Sequence, residues 1–297
     1  MKIIVPGTTS NLGPGFDSCG LALNLYLTLD VGAETESWVI HHTLGENIPS
    51  DETNLIIKTA LSLVPTIQPR ELWMESEIPA TRGLGSSSAA IVAGIELANQ
   101  LAELKLSKKE KVAIASNLEG HPDNAAPAIL GDFVIASKIK DSTFAVKHTF
   151  PDTGILAVIP NHELLTKESR EVLPEKLAYA QAVQASSISN VMISAILADD
   201  LNLAGAMMEN DLWHENYRKE LVPHLVPIRE LAKKNGAHAT FLSGAGSTVL
   251  ILAPYSSLDA IRKVVKANFN DATVQKVQVE REGLKVQVSK NESGNCW

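Results

Sequence analysis

With 297 residues, 45% of them hydrophobic and 20% charged, the chain can bury a substantial core, which excludes a disordered protein and predicts one large or two medium globular domains. A net charge of −8 leaves no basic face to hold nucleic acid by counterion release, so nucleic acid is not an expected partner. Cys19 and Cys296 are too few and too ill-spaced for a disulfide framework or a structural zinc site. Met1-Lys-Ile-Ile-Val leads straight into a strand without the apolar core of a signal peptide, and no later window offers about 20 apolar residues. A cytoplasmic protein that stays off the membrane is expected.

Residues 2–5 read as a strand. The following Pro6-Gly-Thr-Thr-Ser-Asn-Leu-Gly-Pro-Gly-Phe-Asp17 crowds turn formers around polar side chains before a strand at Leu21–Val31. Such a loop fixes a shape that aims Asn11 and Asp17 at one point, and a carboxylate facing inward there wants a cationic partner such as a substrate ammonium. The plainer alternative is that both residues only make Asx-turns. Thr53–Val64 has helical apolar spacing with Thr53 as its cap and Asn54 in its first turn.

An extended run at Glu71–Glu77 then meets Pro79-Ala-Thr-Arg-Gly-Leu-Gly-Ser-Ser-Ser-Ala-Ala90, and a helix is predicted over Ala89–Leu101. Gly83 and Gly85 can take positive φ, and Ser86, Ser87 and Ser88 bring hydroxyls and N–H groups to a helix N-terminus, a ring of donors suited to phosphate. The segment lacks the Gly-Lys-Ser/Thr ending of a Walker A loop and the third glycine of a dinucleotide fingerprint. It stands one residue from a nucleophile elbow, so a serine hydrolase using Ser87 with His238 and Asp259 is a competing reading. A nucleotide-binding regulator without turnover is a third.

Ser107–Glu119 is a second helix with an N-cap serine, and it ends at Glu119-Gly-His-Pro-Asp-Asn124, which packs one imidazole, two further polar ligands and a carboxylate into six residues. A short helix follows at Ala125–Leu130, then a hairpin from Phe133–Ala136 and Thr143–Val146. The strand at Ile155–Pro160 opens a second half, which divides the chain into domains 1–153 and 154–297. Asn161–Pro174 is a polar connection carrying Thr166 and Arg170. A long helix is predicted over Ala178–Asp199, and His214–Arg218 has the polar and aromatic mix of a site rim. Ser243-Gly-Ala-Gly-Ser247 is a glycine-rich turn between strands, where Gly244 allows backbone approach to a ligand or simply closes a hairpin. Tyr255–Phe269 reads as an amphipathic helix, and Val274–Val279 with Leu284–Val288 as a terminal hairpin across Glu282-Gly283. A small antiparallel sheet with helices on one face is expected for this half, and an α+β fold for the chain.

Three stretches together, Pro6–Asp17, Pro79–Ala90 and Leu242–Ser247, resemble the three motifs of the GHMP small-molecule kinases. Within that group, Ser10-Asn-Leu-Gly-Pro-Gly-Phe-Asp17 with Glu119-Gly-His-Pro-Asp-Asn124 is similar to the homoserine kinase family. The resemblance implies an N-terminal α/β domain with a left-handed crossover and a ferredoxin-like C-terminal domain. ATP would lie between them on Pro79, Ala80, Thr81, Arg82, Gly83, Leu84, Gly85, Ser86, Ser87, Ser88 and Ala89, with Asn54 near the base. Mg2+ would sit between Ser87 and Glu119. For L-homoserine, Asn11, Asp17 and His121 would surround the amine and hydroxyl end, and Thr166, Arg170, Arg218 and Gly244 the carboxylate end. A homodimer is the family's expectation. Charge complementarity supports the assignment independently, because a zwitterion needs both a carboxylate and an arginine fork. Many sister kinases use an Asp base and a Lys where this chain has Asn124 and Thr8, so phosphoryl transfer without a dedicated general base is expected, with Asn124, Glu119 and Ser87 as the residues nearest the chemistry.

Overall fold

The computed structural model describes residues 1–288, so Cys296 and the expectation that it forms no disulfide lie outside the described residues. In chain order the elements are β1 (Lys2–Ser10), β2 (Cys19–Glu34), β3 (Val39–His41), α1 (Leu55–Leu63), β4 (Arg70–Ser76), α2 (Ser86–Leu101), α3 (Lys108–Glu119) and α4 (Ala125–Leu130). Next come β5 (Phe133–Ile139), β6 (Ser142–His148), β7 (Gly154–Pro160), α5 (Thr166–Glu171), α6 (Tyr179–Leu197), α7 (Leu201–Met208), α8 (Glu215–Arg218) and α9 (Leu225–Lys234). The chain closes with β8 (Ala239–Leu242), β9 (Val249–Ala253), α10 (Leu258–Asn268), β10 (Ala272–Val277) and β11 (Lys285–Gln287).

The first sheet runs β11-β1-β2-β4-β3, with β5 also on β2 and β6 on β5. Along β2, Leu25, Leu27 and Leu29 are buried while Tyr26 and Thr28 are less so, the period of two expected of a strand with one covered face. β3 and β4 are parallel and joined through α1. The second sheet has the order β10-β7-β9-β8, so its strands lie fourth, first, third, second, with α9 before the second and α10 before the fourth, the βαββαβ arrangement of a ferredoxin-like unit.

Helices cover both faces of this second sheet, not the one face expected. Every residue of β9 is apolar and buried; Leu250 and Leu252 pack into a core shared with α6 and α7, while Val249 and Ile251 pack with α9 and α10. An unbroken apolar run is what a strand needs when neither side meets water. α10 supplies Leu258, Ile261 and Val265 and α9 supplies Leu225, Ile228 and Ala232, both at i, i+3, i+7. Each such fully buried Ile or Leu contributes about 1.5–3 kcal/mol.

The predicted terminal hairpin is not formed. β10 pairs with β7, and β11 crosses to the other sheet to pair with β1, Ile3 facing Val286. Glu282-Gly283 is the crossing segment: a Cβ on Gly283 would crowd the backbone of Ile129 and Gly131, so the chain there is pressed against the end of α4. The second sheet begins at Gly154, beside the expected division, yet β11 belongs by pairing to the first. Asn54, not Thr53, caps α1, its Oδ1 accepting from Ile56 N at 3.0 Å. Among the described residues, no helix is long and apolar enough to cross a membrane.

Candidate active site

A cleft of about 330 Å³ lies where five segments converge: the loop after β1, the start of α2, the end of α3 with the residues after it, α5, and the turn after β8. The loop is held by backbone of unusual conformation. Asn11, Leu12, Gly13 and Asp17 all have positive φ, and a Cβ on Gly13 would overlap the backbone of Met208 at the end of α7. Asn11 is buried; its amide donates to Gly244 O at 3.1 Å, and its Oδ1 accepts from Asp17 N at 3.0 Å. This last bond spans six residues, so it is not the Asx-turn expected as the plain alternative; it ties the two ends of the loop together and leaves Asp17 lining the cleft.

α2 starts earlier than predicted, at Ser86, and its N-cap is Gly85 at φ 72°, with no side-chain cap. Ser87 and Ser88 are thus first-turn residues, and the N–H groups of Ser86, Ser87 and Ser88 face forward without the i−4 acceptor that Ala89 finds in Gly85. All three serines line the cleft together with Thr81, Gly83 and Gly85. The rest of the expected nucleotide segment does not. Leu84 and Ala89 are core residues, and Arg82 donates to the carbonyls of Pro160 and Asn161, away from the cleft. Pro79 lies with Arg82 in a neighbouring hollow beside β7. Ala80 does not line the cleft; its carbonyl accepts from Arg82. Asn54 does not line the cleft either; its amide donates to Pro49 O and its oxygen accepts at the α1 cap.

Gly120, at φ 90°, ends α3 and leaves Glu119 at the last helical position. Burial pushes the Glu119 carboxyl up to about 7, an effect increased by Asp123 and opposed by the Ser88 hydroxyl and His121. Its Oε2 is sealed from solvent without a hydrogen-bond partner. An orphaned buried carboxylate oxygen facing serine hydroxyls is a donor set that suits a hard divalent cation. His121 Nδ1 lies 2.6 Å from Asp123 Oδ1. Burial works against the imidazolium, but this bond and the charges of Asp123 and Asp17 outweigh it and raise the pKa. Asn124 accepts from Thr8 Oγ1 at 2.8 Å and donates to Ser10 Oγ at 3.0 Å. The two residues that depart from the sister kinases are therefore bonded to each other.

Asp17 and Arg170, expected to serve opposite ends of a ligand, are joined to each other across the cleft. Arg170 holds Asp17 in a two-pronged ion pair, Nη2 to Oδ1 at 2.6 Å and Nη1 to Oδ2 at 3.1 Å, both residues about one-third exposed. Arg218 is buried, which pushes its pKa down to about 10. Both guanidinium groups lie 5.6 Å from the ring of Phe16. Thr166 at the start of α5 and Gly244 complete this side of the cleft. The hydrolase reading finds no support here: His238 bonds Asn202 at 2.9 Å, Asp259 pairs with Lys276 at 2.7 Å, and neither lines the cleft.

Sequence reasoning did not single out Ser10, Phe16, Leu164 or Ala245, all cleft residues. Ser10 and Phe16 stood inside the loop motif, where polar density drew attention to Asn11 and Asp17. Leu164 carried no signal, since a leucine in a connection looks like any other apolar residue.

Similarity to known proteins agrees with this architecture. Residues 54–132 match the family model of the GHMP kinases N terminal domain and residues 192–271 that of the GHMP kinases C terminal. The fold and cleft are thus those of a small-molecule kinase. A homoserine kinase of Listeria monocytogenes serotype 4b is 60% identical over 286 residues, covering 96% of this chain and 99% of that protein. A homoserine kinase of Enterococcus faecalis is 57% identical, covering 96% of this chain and all of its own, 100%. A solved Listeria monocytogenes structure titled as a homoserine kinase superposes with a TM-score of 0.87 at 55% identity, over 96% of this chain and 98% of that one. The chain belongs to the homoserine kinase family of the GHMP kinases.

Proposed function

We propose that this kinase transfers the γ-phosphoryl group of ATP to the side-chain hydroxyl of L-homoserine, forming O-phospho-L-homoserine for threonine biosynthesis. One observation carries the reading: a donor-rich helix start faces, across a single cleft, a carboxylate and two guanidinium groups arranged around one phenyl ring. The helix start suits phosphate, and the charged cluster suits a zwitterion. Asp17 would take the substrate ammonium and Arg170 its carboxylate, so the ligand's two charges would replace the two halves of the ion pair now closed between them. Asn11 and His121 would sit near the amine and hydroxyl, and Thr166, Arg218 and Gly244 near the carboxylate.

Ser87 and Glu119 would hold Mg2+, which when bound neutralises charge on the phosphates. The chain's own groups then account for positioning. Gly83, Gly85 and the serine N–H groups would fix the phosphates, while Asn124, tied to Thr8 and Ser10, supplies an amide where sister kinases have a carboxylate. With no base at that position, in-line placement of the hydroxyl and electrostatic stabilisation carry the rate, and the proton passes late to phosphate. Asn124→Ala should therefore lower turnover less than Glu119→Ala; the reverse ranking sinks the no-base mechanism. The proposed domains are 1–153 and 154–297, the second lending β11 to the first, and ATP would lie at their seam. A homodimer is also proposed, supported by the 19-residue α6, which carries no charged side chain and exposes Tyr179 and Val183; light scattering on the eluting protein tests it.

The decisive assay incubates the protein with magnesium ATP and, separately, homoserine, mevalonate, galactose and shikimate. Homoserine alone should release ADP. Turnover of another alcohol in preference to it overturns the assignment.

A further inference from the structure

Arg218 is 1% exposed, and a guanidinium so deep in the protein must place its five N–H bonds. Nε donates to Ser169 O at 3.0 Å, and Nη1 donates to Gly244 O at 2.9 Å and to His214 Nδ1 at 2.9 Å. Among the described residues, these bonds occupy Nε and Nη1 and leave Nη2 without a hydrogen-bond partner. Arg218 itself lines the cleft.

The third of these bonds constrains the imidazole. Nδ1 can accept from an arginine only as a bare lone pair, so the ring's proton sits on Nε2, which lies 3.0 Å from the acceptor Gly13 O. His214 is wholly buried, and burial lowers its pKa below the ordinary histidine value, which keeps the ring neutral as this geometry requires. Its backbone is fixed too, because the Asp211 carboxylate accepts from the N–H groups of Trp213, His214 and Glu215. Phe16 stacks on the imidazole with ring centres 5.3 Å apart. That phenyl ring is the one that both Arg170 and Arg218 approach, and it immediately precedes Asp17 in the chain.

We propose that His214 is a positioning residue for the amino-acid substrate. One imidazole, in one tautomer, sets the guanidinium of Arg218 on one side and the loop that carries Asn11 and Asp17 on the other, so both ends of the substrate site share a single reference. It touches neither substrate nor nucleotide, and the proposal rests on the homoserine reading given above. Swapping the ring for the two amides separates its two bonds. Asparagine can keep an oxygen near the Nδ1 position, facing Arg218, but falls short of Gly13. Glutamine reaches Gly13 with its amide and offers Arg218 no acceptor.

The experiment measures KM for homoserine, KM for magnesium ATP and the urea midpoint in His214→Asn and His214→Gln. Glutamine should raise the homoserine KM about tenfold, the scale of one lost hydrogen bond to a charged group, and asparagine less than about threefold, with KM for ATP changed less than about twofold in both. Equal effects of the two substitutions on homoserine, or no effect, overturn the proposal, as does a parallel rise in the ATP value. Nitrogen chemical shifts of ¹⁵N-histidine in the unmodified enzyme give a second readout: neutral His214 protonated at Nε2 is expected, and a proton on Nδ1 refutes the clamp. The shifts need no turnover, so an enzyme that leaves homoserine untouched sinks the functional reading, while a proton on Nδ1 breaks the Arg218–His214–Gly13 clamp itself.

Discussion

Gly83 is where the proposed phosphate-binding turn meets the turn after β8, and replacing it with alanine tests whether that contact is structural. The residue has φ +74°, and a Cβ there would run into the Ser243 carbonyl oxygen and lie 2.8 Å from the oxygen and 2.9 Å from the nitrogen of Gly246. These are backbone atoms of a turn already tied to Gly83, whose carbonyl accepts from Ser243 Oγ at 2.6 Å. A left-handed conformation costs an alanine about 1–2 kcal/mol, and overpacking against atoms that cannot rotate away adds about 1–3, so a loss of about 2–5 kcal/mol is expected. Gly120→Ala is the control, because φ is +90° there and a Cβ would meet nothing within 4 Å. That variant should lose only the backbone part, about 1–2 kcal/mol. Urea denaturation of the two proteins at equal m-values gives the difference directly, and KM for ATP should rise in the Gly83 variant. Equal destabilisation of the pair would show that the turn yields freely and that the cleft's two walls are not locked through this glycine.

Asp17→Asn removes the proposed ammonium partner and should raise the homoserine KM by about 10–100-fold, or roughly 1.4–2.7 kcal/mol. It should penalise 4-hydroxybutyrate, which lacks the ammonium, far less; an equal penalty on both would contradict the role. His224 is lowered below its usual 6.5 by burial first and then by the nearby His162. The unfolded chain therefore takes up a proton before the native one, and stability falls as pH drops below 6.5, by at most about 1.4 kcal/mol per pH unit for this group. The stability advantage of the unmodified protein over His224→Gln should accordingly shrink between pH 7 and 5, and a constant difference would exclude the assignment. Cys19 is completely buried, with its thiol pushed up to about 12. In a Cys296→Ser background, an aromatic disulfide reagent should leave the native protein unlabelled and titrate one thiol in urea; rapid native labelling would refute that environment.

What the sequence disclosed followed from short-range physics. The turn formers from Asn11 to Asp17, the serine run after Gly85 and the Ser107 cap are local signals, and each marks an element or turn found in the structure, whereas Pro6–Ser10, expected as loop, continue β1 in pairing with β2. Pairing is not local. Val274–Val279 and Leu284–Val288 had hairpin spacing, but their strand partners, Val158 for Val274 and Ile3 for Val286, lie 116 and 283 positions away and are invisible to a window that short. The same limit hid the meeting of Asp17 with Arg170, which are 153 positions apart. The helices α5 and α9 were passed over because a six-residue helix barely shows a period and because Pro227 sits in the first turn of α9, where a proline is tolerated but reads as a breaker. His214 was named only as part of a rim, since nothing in a lone histidine discloses which backbone oxygen will face it.

β11 gives the fold a thermodynamic character that two separate sheets would lack. Its three residues, reached only after the whole second sheet has been traversed, supply the neighbour that β1 needs on its outer edge. Cutting the chain at Gly154 would strand that edge without hydrogen-bond partners, so the first half is not a self-sufficient folding unit. Heating should accordingly produce one calorimetric peak, and ribosomes must finish nearly the entire polypeptide before its first sheet can close.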